Sequence, residues 1–256
     1  MKICFFDLDG TLLADDKTIS YRTQKALNQL HQMGILVGYI TARTKRKIAS
    51  LVNGLPCDFI ASYDGALIEC FDGNGKTEVI LNECISDANA HEIISRLTEL
   101  PNVDVFSYFE PYHILNDKVS CVEECNISAY NKETAHLFSG CQRIRGRSKD
   151  DITVFEDIER FHGIFSYIEN NDIVFRNNNV NKGHAVQCIL EHYGFCRNDA
   201  VAFGDTEPDI DMFKQCKIAV AMGNSSYETK INATFVTLSN NEDGVAEAID
   251  RIFGIR

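Results

Sequence analysis

The chain begins with two aspartates placed where a short strand must end. Asp7 and Asp9 follow the apolar run Ile3–Phe6, in the sequence Asp-Leu-Asp-Gly-Thr. Side chains alternate along an extended backbone, so a bend after the strand is needed to bring both carboxylates to one point. Gly10 permits such a bend, and Thr11 adds a hydroxyl donor. Two neighbouring carboxylates favour a cation between them, and their oxygens suit Mg²⁺; a solvated turn is the alternative interpretation.

Residues with further chemistry follow at three later strand ends or helix starts. They are Thr41 and Ala42 after a second apolar run, Lys182 at the start of a predicted helix, and Asp205 and Asp209 after a third apolar run. A hydroxyl and backbone N–H groups suit a phosphate, although a simple turn fits Thr41 equally well. A helix cap is the ordinary role for Asp209, and it is compatible with a role in the site. Ligands of open α/β sheets bind at the carboxyl ends of the strands, so these residues together suit metal-assisted phosphoryl transfer.

Apolar periodicity predicts the elements that must position these residues. After the first strand, a helix with Ala26, Leu27, Leu30 and Met33 on one face precedes a strand at 35–40. The later part predicts helices at 181–193, 209–216 and 245–253 and strands at 200–203, 218–221 and 234–238. Alternating strands and helices of this kind form right-handed βαβ units. We therefore expect an α/β fold with a doubly wound, Rossmann-like parallel sheet.

The middle of the chain has a different pattern. A predicted helix at 87–100 is followed by short alternating runs, which predict strands at 103–106, 152–155 and 172–175. Strands grouped beyond one helix indicate an inserted α+β domain rather than more parallel sheet. We therefore expect a core made of residues 1–81 and 181–256, with an inserted domain at 82–180.

Composition excludes several classes of protein. The 256 residues are 45% hydrophobic and carry a formal net charge of −12, which argues against nucleic acid as the main partner. No apolar run is long enough to span a membrane, and the first residues do not form a signal peptide. The ten cysteines include no Cys-x-x-Cys pair, so we expect reduced thiols and a cytoplasmic protein. The sequence leaves open whether the protein is a monomer or a homodimer.

Four motifs occur in an order that resembles the haloacid dehalogenase superfamily. They are Asp-Leu-Asp-Gly-Thr at 7–11, Thr-x-Arg at 41–43, Lys-Gly at 182–183 and Gly-Asp-x-x-x-Asp at 204–209. Shorter segments at 64–66, 221–224 and 241–246 resemble the Cof-type, class IIB phosphatases. In those enzymes an α/β cap of the C2B type is inserted between the second and third motifs. The resemblance covers about 1–80 and 182–256. In the middle of the chain, only the position of the insert and its type of structure match the family.

The resemblance implies a role for each matching residue. Asp7 would be the nucleophile that forms an aspartyl-phosphate, and Asp9 would be the general acid and base. Asp7, Asp9 through its backbone carbonyl, and Asp205 would bind Mg²⁺, with Asp209 in support. The residues expected to hold the phosphoryl oxygens are Leu8, Thr41, Ala42 and Lys182. The implied activity is Mg²⁺-dependent hydrolysis of small-molecule phosphate monoesters, such as sugar phosphates or phosphorylated cofactors.

Three positions depart from the family pattern. Pro208 and Asp64 each stand where the family usually has Asn, and Ala42 stands where it usually has Gly. Proline offers no side-chain donor and no N–H, so one contact to phosphate or to the acids is lost. The alternative function is therefore a phosphate-ligand-binding or regulatory protein with impaired turnover. A third possibility is phosphoryl transfer to a sugar instead of water.

Substrate selection is expected to lie in the inserted domain, since a lid decides what reaches the nucleophile and excludes water. The one basic cluster we single out there is Arg143, Arg145, Arg147 and Lys149, in an otherwise acidic chain. Its ordinary interpretation is solvated surface. Its functional interpretation is contact with anionic groups of the substrate.

Overall fold

A computed structural model of the chain describes residues 1–73, 75–109, 112–115, 118–121, 128–129, 140–158 and 160–255. The strands are β1 (Ile3–Phe6), β2 (Leu36–Ile40), β3 (Phe59–Ser62), β4 (Leu67–Phe71), β5 (Thr77–Asn82), β6 (Val103–Phe109), β7 (Tyr112–Leu115), β8 (Lys118–Cys121), β9 (Ser128–Ala129), β10 (Arg143–Ser148), β11 (Ile164–Glu169), β12 (Asp172–Asn177), β13 (Ala200–Gly204), β14 (Ile218–Ala221) and β15 (Phe235–Val236). The helices are α1 (Tyr21–Gln32), α2 (Lys45–Leu51), α3 (Asp87–Thr98), α4 (Lys182–His192), α5 (Glu207–Lys214), α6 (Tyr227–Ile231) and α7 (Gly244–Phe253).

The chain divides into two compact units. The first is Met1–Leu81 with Val180–Arg256, and the second is Asn82–Asn179. The first contains an eight-stranded sheet in the order β15-β14-β13-β1-β2-β3-β4-β5. All neighbouring pairs from β15 to β3 are parallel, and β4 is antiparallel to β3. The central position of β1 fits its four fully buried residues.

Apolar clusters cover both faces of this sheet. Cys4 and Phe6 of β1 belong to one cluster, which also includes buried residues of α1 and α7. Ile3 and Phe5 point the other way and belong to a second cluster, with buried residues of α4 and α5. Helices on both faces of a mostly parallel sheet confirm the predicted doubly wound α/β class.

The second unit contains a seven-stranded antiparallel sheet in the order β11-β12-β10-β6-β7-β8-β9. The helix α3 buries Ala90, Ile93, Ile94 and Leu97 in one apolar cluster with Val105, Ile144, Ile173 and Phe175 of the sheet. This arrangement is the α+β insert expected from the sequence.

One local prediction was wrong, and one predicted helix has shifted bounds. Residues 152–155 form a 3₁₀ helix rather than a strand, because the Asp151 side chain accepts a hydrogen bond from the Thr153 N–H at 3.1 Å and caps a turn. The helix expected at 209–216 is α5, which begins two residues earlier because Thr206 and Asp209 form a capping box. No helix among the described residues has the length and apolar character needed to cross a membrane.

Candidate active site

The site is built around a buried ion pair between Asp7 and Lys182. Asp7 directly follows β1, and its N–H still donates to Phe203 of the neighbouring β13 at 3.0 Å. Lys182 is the first residue of α4, whose N-cap is Asn181. The Nζ of Lys182 donates to Asp7 Oδ1 and to Asp209 Oδ1, both at 2.6 Å. One lysine therefore joins the end of the central strand to the start of α5.

Asp209 is fully buried, and both of its oxygens accept hydrogen bonds. Its Oδ2 accepts from the N–H groups of Asp205 and Thr206, each at 2.9 Å, and from the Thr206 hydroxyl at 3.0 Å. Its Oδ1 is the oxygen bound by Lys182. Asp209 thus caps α5 and holds Lys182 at the same time.

Asp205 lies against the bend that follows the first strand. Its Oδ1 accepts from the Thr11 hydroxyl at 2.8 Å. Gly10 has φ +77°, and a Cβ there would overlap the carboxylate of Asp205. A glycine is therefore needed at position 10 both for the backbone conformation and for the space that Asp205 occupies.

Burial governs the protonation of these groups. It raises the pKa of Asp7 above its ordinary value; Lys182 opposes this shift, and Asp209 adds to it. Burial likewise raises the pKa of Asp205 to about 6. The pKa of Lys182 is also raised, because the attraction of Asp209, Asp7 and Asp64 outweighs the cost of burying its charge. The pocket therefore favours a bound cation that would stabilise ionised carboxylates.

Asp9 is held differently from the other three aspartates. Arg43 donates to its carboxylate through Nε at 2.5 Å and Nη2 at 2.6 Å, and Lys17 donates at 2.9 Å. These hydrogen bonds, that of Arg43 first, lower the pKa of Asp9 to about 2. In this arrangement Asp9 is ionised at neutral pH.

The other predicted phosphate contacts lie near the same strand ends. Thr41 is buried directly after β2, and its hydroxyl accepts from the Arg43 N–H at 3.2 Å. The side chain of Leu8 is buried in the core, and Ala42 is exposed. Asp64 is buried with φ 59°, a left-handed conformation that Asn and Asp tolerate better than most residues, and its N–H donates to the Thr41 carbonyl at 2.9 Å.

Pro208 occupies the first turn of α5 and is exposed. Proline is well tolerated there, since the first N–H groups of a helix have no partner within the helix. The substitution therefore leaves the fold of α5 intact.

The buried Asp7 and Asp209 and the half-buried Asp205 suit a divalent metal. One ligand atom from each of Asp7, Asp205 and Asp209 lies within 4.8 Å of the others. Two oxygens of one octahedral Mg²⁺ lie at most about 4.2 Å apart, so a small adjustment would allow shared coordination. Asp7 and Asp205 each use one oxygen in a hydrogen bond to a neighbouring side chain and retain a second. Asp209 has both oxygens engaged, so it fits support of the site better than direct coordination.

The structure brings together Asp7, Lys182, Asp205 and Asp209. The carboxylate of Asp9 is bound by Arg43 and Lys17, and its charge also acts on Asp205. In the sequence, Arg43 stands out only as part of the Thr-x-Arg motif, and Lys17 does not stand out at all. The motif was a usable signal for Arg43. No sequence pattern identifies Lys17 as a site residue, because its contact with Asp9 depends on the path of the turn after the first strand.

The comparisons with known proteins identify the family. The model of the haloacid dehalogenase-like hydrolases matches residues 4–249. The chain belongs to this family.

Relatives within the haloacid dehalogenase-like hydrolases match along almost the whole chain. A putative phosphatase of Haemophilus influenzae is 28% identical, covering 98% of each protein. A 5-amino-6-(5-phospho-D-ribitylamino)uracil phosphatase of Bacillus subtilis is 26% identical, covering 97% of this chain and 96% of the relative. The crystal structure of a haloacid dehalogenase-like hydrolase of Bacteroides thetaiotaomicron is 25% identical with a TM-score of 0.81, covering 98% and 99% of the two chains. The expected family and the phosphatase class are confirmed.

Proposed function

We propose that this haloacid dehalogenase-like hydrolase is a Mg²⁺-dependent phosphatase of small-molecule phosphate monoesters, with the first unit as the catalytic core and the second as the cap. The observation that carries the proposal is the buried Asp7–Lys182 pair, 2.6 Å apart, beside Asp205 and Asp209. A nucleophilic carboxylate, a fixed cation and further acids for a metal are the parts that phosphoryl transfer needs.

In the proposed first step, a carboxylate oxygen of Asp7 attacks the phosphorus and the bond to the ester oxygen breaks. Asp9 donates a proton to the departing alkoxide, which leaves as the alcohol. Lys182, the Thr41 hydroxyl, and the backbone at Leu8 and Ala42 bind the phosphoryl oxygens. The product of this step is an aspartyl-phosphate on Asp7.

In the second step, Asp9 takes a proton from a water molecule that attacks the phosphorus. The bond between Asp7 and phosphorus breaks, and inorganic phosphate leaves. Mg²⁺, held by Asp7, Asp205 and the Asp9 backbone carbonyl with Asp209 in support, would offset charge on the transferred group. Before the first step, the Asp9 carboxylate must break its hydrogen bonds with Arg43 and take up a proton.

The alternative of a binding protein with impaired turnover has little support. It depended on Pro208 and Asp64. Pro208 is exposed in a helix turn that accepts proline, and Asp64 adopts a backbone conformation that suits it. Neither residue removes the nucleophile, the lysine or the acids.

The test is phosphate release from a panel of sugar phosphates, nucleotides and phosphorylated cofactors, with Mg²⁺ and with EDTA. We expect release that requires Mg²⁺ and is abolished in Asp7→Asn. The matched control is Asp211→Asn, which removes an aspartate that is half exposed and paired with Lys214. Acid quenching with a radiolabelled ester should trap phosphorylated wild-type protein. Mg²⁺ binding without release from any ester would favour the binding protein, and transfer to an added sugar would favour a phosphotransferase.

A further inference from the structure

Two short segments of the first unit, 221–224 and 241–246, match the family pattern but have no part in the proposed mechanism. The first lies at the end of β14, and the second leads into α7. The Gly223 N–H donates to the Leu238 carbonyl at 3.0 Å, so the chain after β14 lies beside the chain after β15. Met222 is fully buried in the apolar cluster that covers one face of the sheet. These loops are therefore anchored to the same sheet that carries the site.

The side chain of Asn224 connects three loops at the strand ends. Asn224 follows β14, and its Nδ2 donates at 2.8 Å to the carbonyl of Gly10, in the turn after β1. Its Oδ1 accepts at 3.1 Å from the N–H of Asn240, in the loop after β15. Because both ends of the amide are bound, the orientation of this side chain is fixed.

Two further asparagines hold the rest of the same turn. Asn240 donates through Nδ2 to the Leu13 carbonyl at 3.0 Å and to a carboxylate oxygen of Asp15 at 3.1 Å. Asn241 accepts from the Asp15 N–H at 3.0 Å and donates to the Asp15 carboxylate at 2.9 Å. We call Asn224, Asn240 and Asn241 the loop asparagines. Together they bind the turn at both its beginning and its end.

The turn that they hold carries groups that the proposed metal site needs. The Asp9 carbonyl lies one peptide unit before the Gly10 carbonyl that Asn224 binds. Glycine has more backbone freedom than any other residue, so an anchor on its carbonyl restricts the rotation of the adjoining peptide units. The next residue, Thr11, donates to the Asp205 carboxylate at 2.8 Å. Movement of this turn would therefore displace two of the proposed ligands at once.

The ordinary interpretation is that these hydrogen bonds only stabilise surface loops. Asn224 and Asn241 are exposed, and water can replace hydrogen bonds at exposed positions with little loss of stability. All three loop asparagines, however, bind one turn, and that turn adjoins the acids of the site. Amide side chains also hold it without adding charge to a pocket that already contains several carboxylates. This convergence favours a role in the site over a role in general stability.

We propose that the loop asparagines are positioning residues, which hold the turn at 10–15 so that the Asp9 carbonyl and Asp205 can bind the same Mg²⁺. Residues that orient metal ligands typically change metal affinity by about 10- to 100-fold when they are removed. The inference rests on the proposed phosphatase function, and it assigns the loop asparagines to metal affinity rather than to contact with the ester.

The test is calorimetric titration of the metal-free protein with Mg²⁺ alone, in the wild type, Asn224→Ala and Asn240→Ala. We expect each variant to bind Mg²⁺ about 10-fold more weakly than the wild type. The matched control is Asn28→Ala, which removes an exposed asparagine of α1 that donates to the Gln24 carbonyl at 2.9 Å. Its Mg²⁺ affinity should equal that of the wild type. Circular dichroism identifies any variant that fails to fold, and the two asparagine variants are independent of each other.

Steady-state kinetics separates positioning of the metal ligands from a general loss of structure. In Asn224→Ala, kcat at a low, fixed Mg²⁺ concentration should fall, and excess Mg²⁺ should restore it, because mass action fills a weakened site. Mg²⁺ affinity that is unchanged in both variants, or a loss of kcat that excess Mg²⁺ does not restore, would overturn the inference. Wild-type protein that neither binds Mg²⁺ nor releases phosphate from any ester would instead contradict the proposed function, on which the inference depends.

Discussion

Arg43 and Asp9 form a contact that must open for the proposed chemistry to proceed. A general acid needs a proton, yet the guanidinium of Arg43 holds the pKa of Asp9 at about 2. We expect Arg43→Met to raise this pKa towards the ordinary value of about 4. NMR titration of the Asp9 carboxyl carbon in the metal-free protein measures the shift. Lys17→Met is the comparison, and its effect should be smaller because Lys17 makes one hydrogen bond at 2.9 Å where Arg43 makes two shorter ones. A shift no larger than that of Lys17→Met would contradict this ranking.

Pro208 is the second position where one residue can test the site. The family usually has Asn there, and proline offers no side-chain donor. Pro208→Asn should restore one hydrogen bond to phosphate or to the acids, raising kcat/KM by about 3- to 10-fold. Steady-state kinetics with the best ester of the panel measures the change, and Pro208→Ala, which adds no donor, is the control. An equal gain in both variants would assign the effect to the backbone of α5.

Among the elements, β2 and β3 pack closely at a glycine. A Cβ on Gly38 would overlap the buried ring of Phe59, which stands beside Phe5 at a centroid distance of 5.2 Å. Gly38→Ala should therefore lower the free energy of unfolding by about 1–3 kcal/mol, as overpacking does in other cores. Urea denaturation measures it. In the double variant with Phe59→Leu the two losses should be less than additive, because the smaller side chain makes room; strict additivity would contradict the clash.

For the protein as a whole, metal and pH should act together on stability. Burial raises the pKa of Asp205 from its ordinary value of 3.8 to about 6. A carboxyl whose folded pKa is raised stabilises the fold fully below its unfolded pKa, and this contribution is lost as pH rises through the folded pKa. Asp7 shifts in the same direction. The metal-free protein should therefore lose stability between about pH 4 and pH 6 from Asp205, with a further loss from Asp7 at higher pH.

Mg²⁺ should reverse this loss, since it binds the ionised carboxylates. We expect the increase in Tm caused by Mg²⁺ to grow from about pH 5 to about pH 8, as Asp205 ionises. Differential scanning calorimetry with Mg²⁺ and with EDTA measures it, and Asp205→Asn should lose most of the increase. An increase that does not depend on pH would exclude these carboxylates as the ligands.

The sequence predicted the parts of the site that follow from sheet topology. Asp7, Thr41 and Asp205 each follow a parallel strand. Their proximity at one edge of the sheet could therefore be predicted from the order of the strands and helices alone. The pairing of Asp9 with Arg43 and Lys17 could not be predicted, because it depends on the directions of long side chains after a tight turn. The 3₁₀ helix at 152–155 was missed because its apolar, β-branched residues suit a strand. The hydrogen bond that the Asp151 side chain accepts from the Thr153 N–H stabilises a helical turn instead.

The position of β1 in its sheet has a consequence for synthesis of the protein. Ile3 pairs with Leu36 on one side and with Ala200 on the other. Ribosomes add about 5–20 residues per second, so the second neighbour of β1 is made about 8 to 33 s after the first. Throughout that interval one edge of an apolar strand has no partner of its own chain, and such edges readily pair with other chains. A nascent chain of this topology should therefore depend on a ribosome-associated chaperone until β13 has emerged.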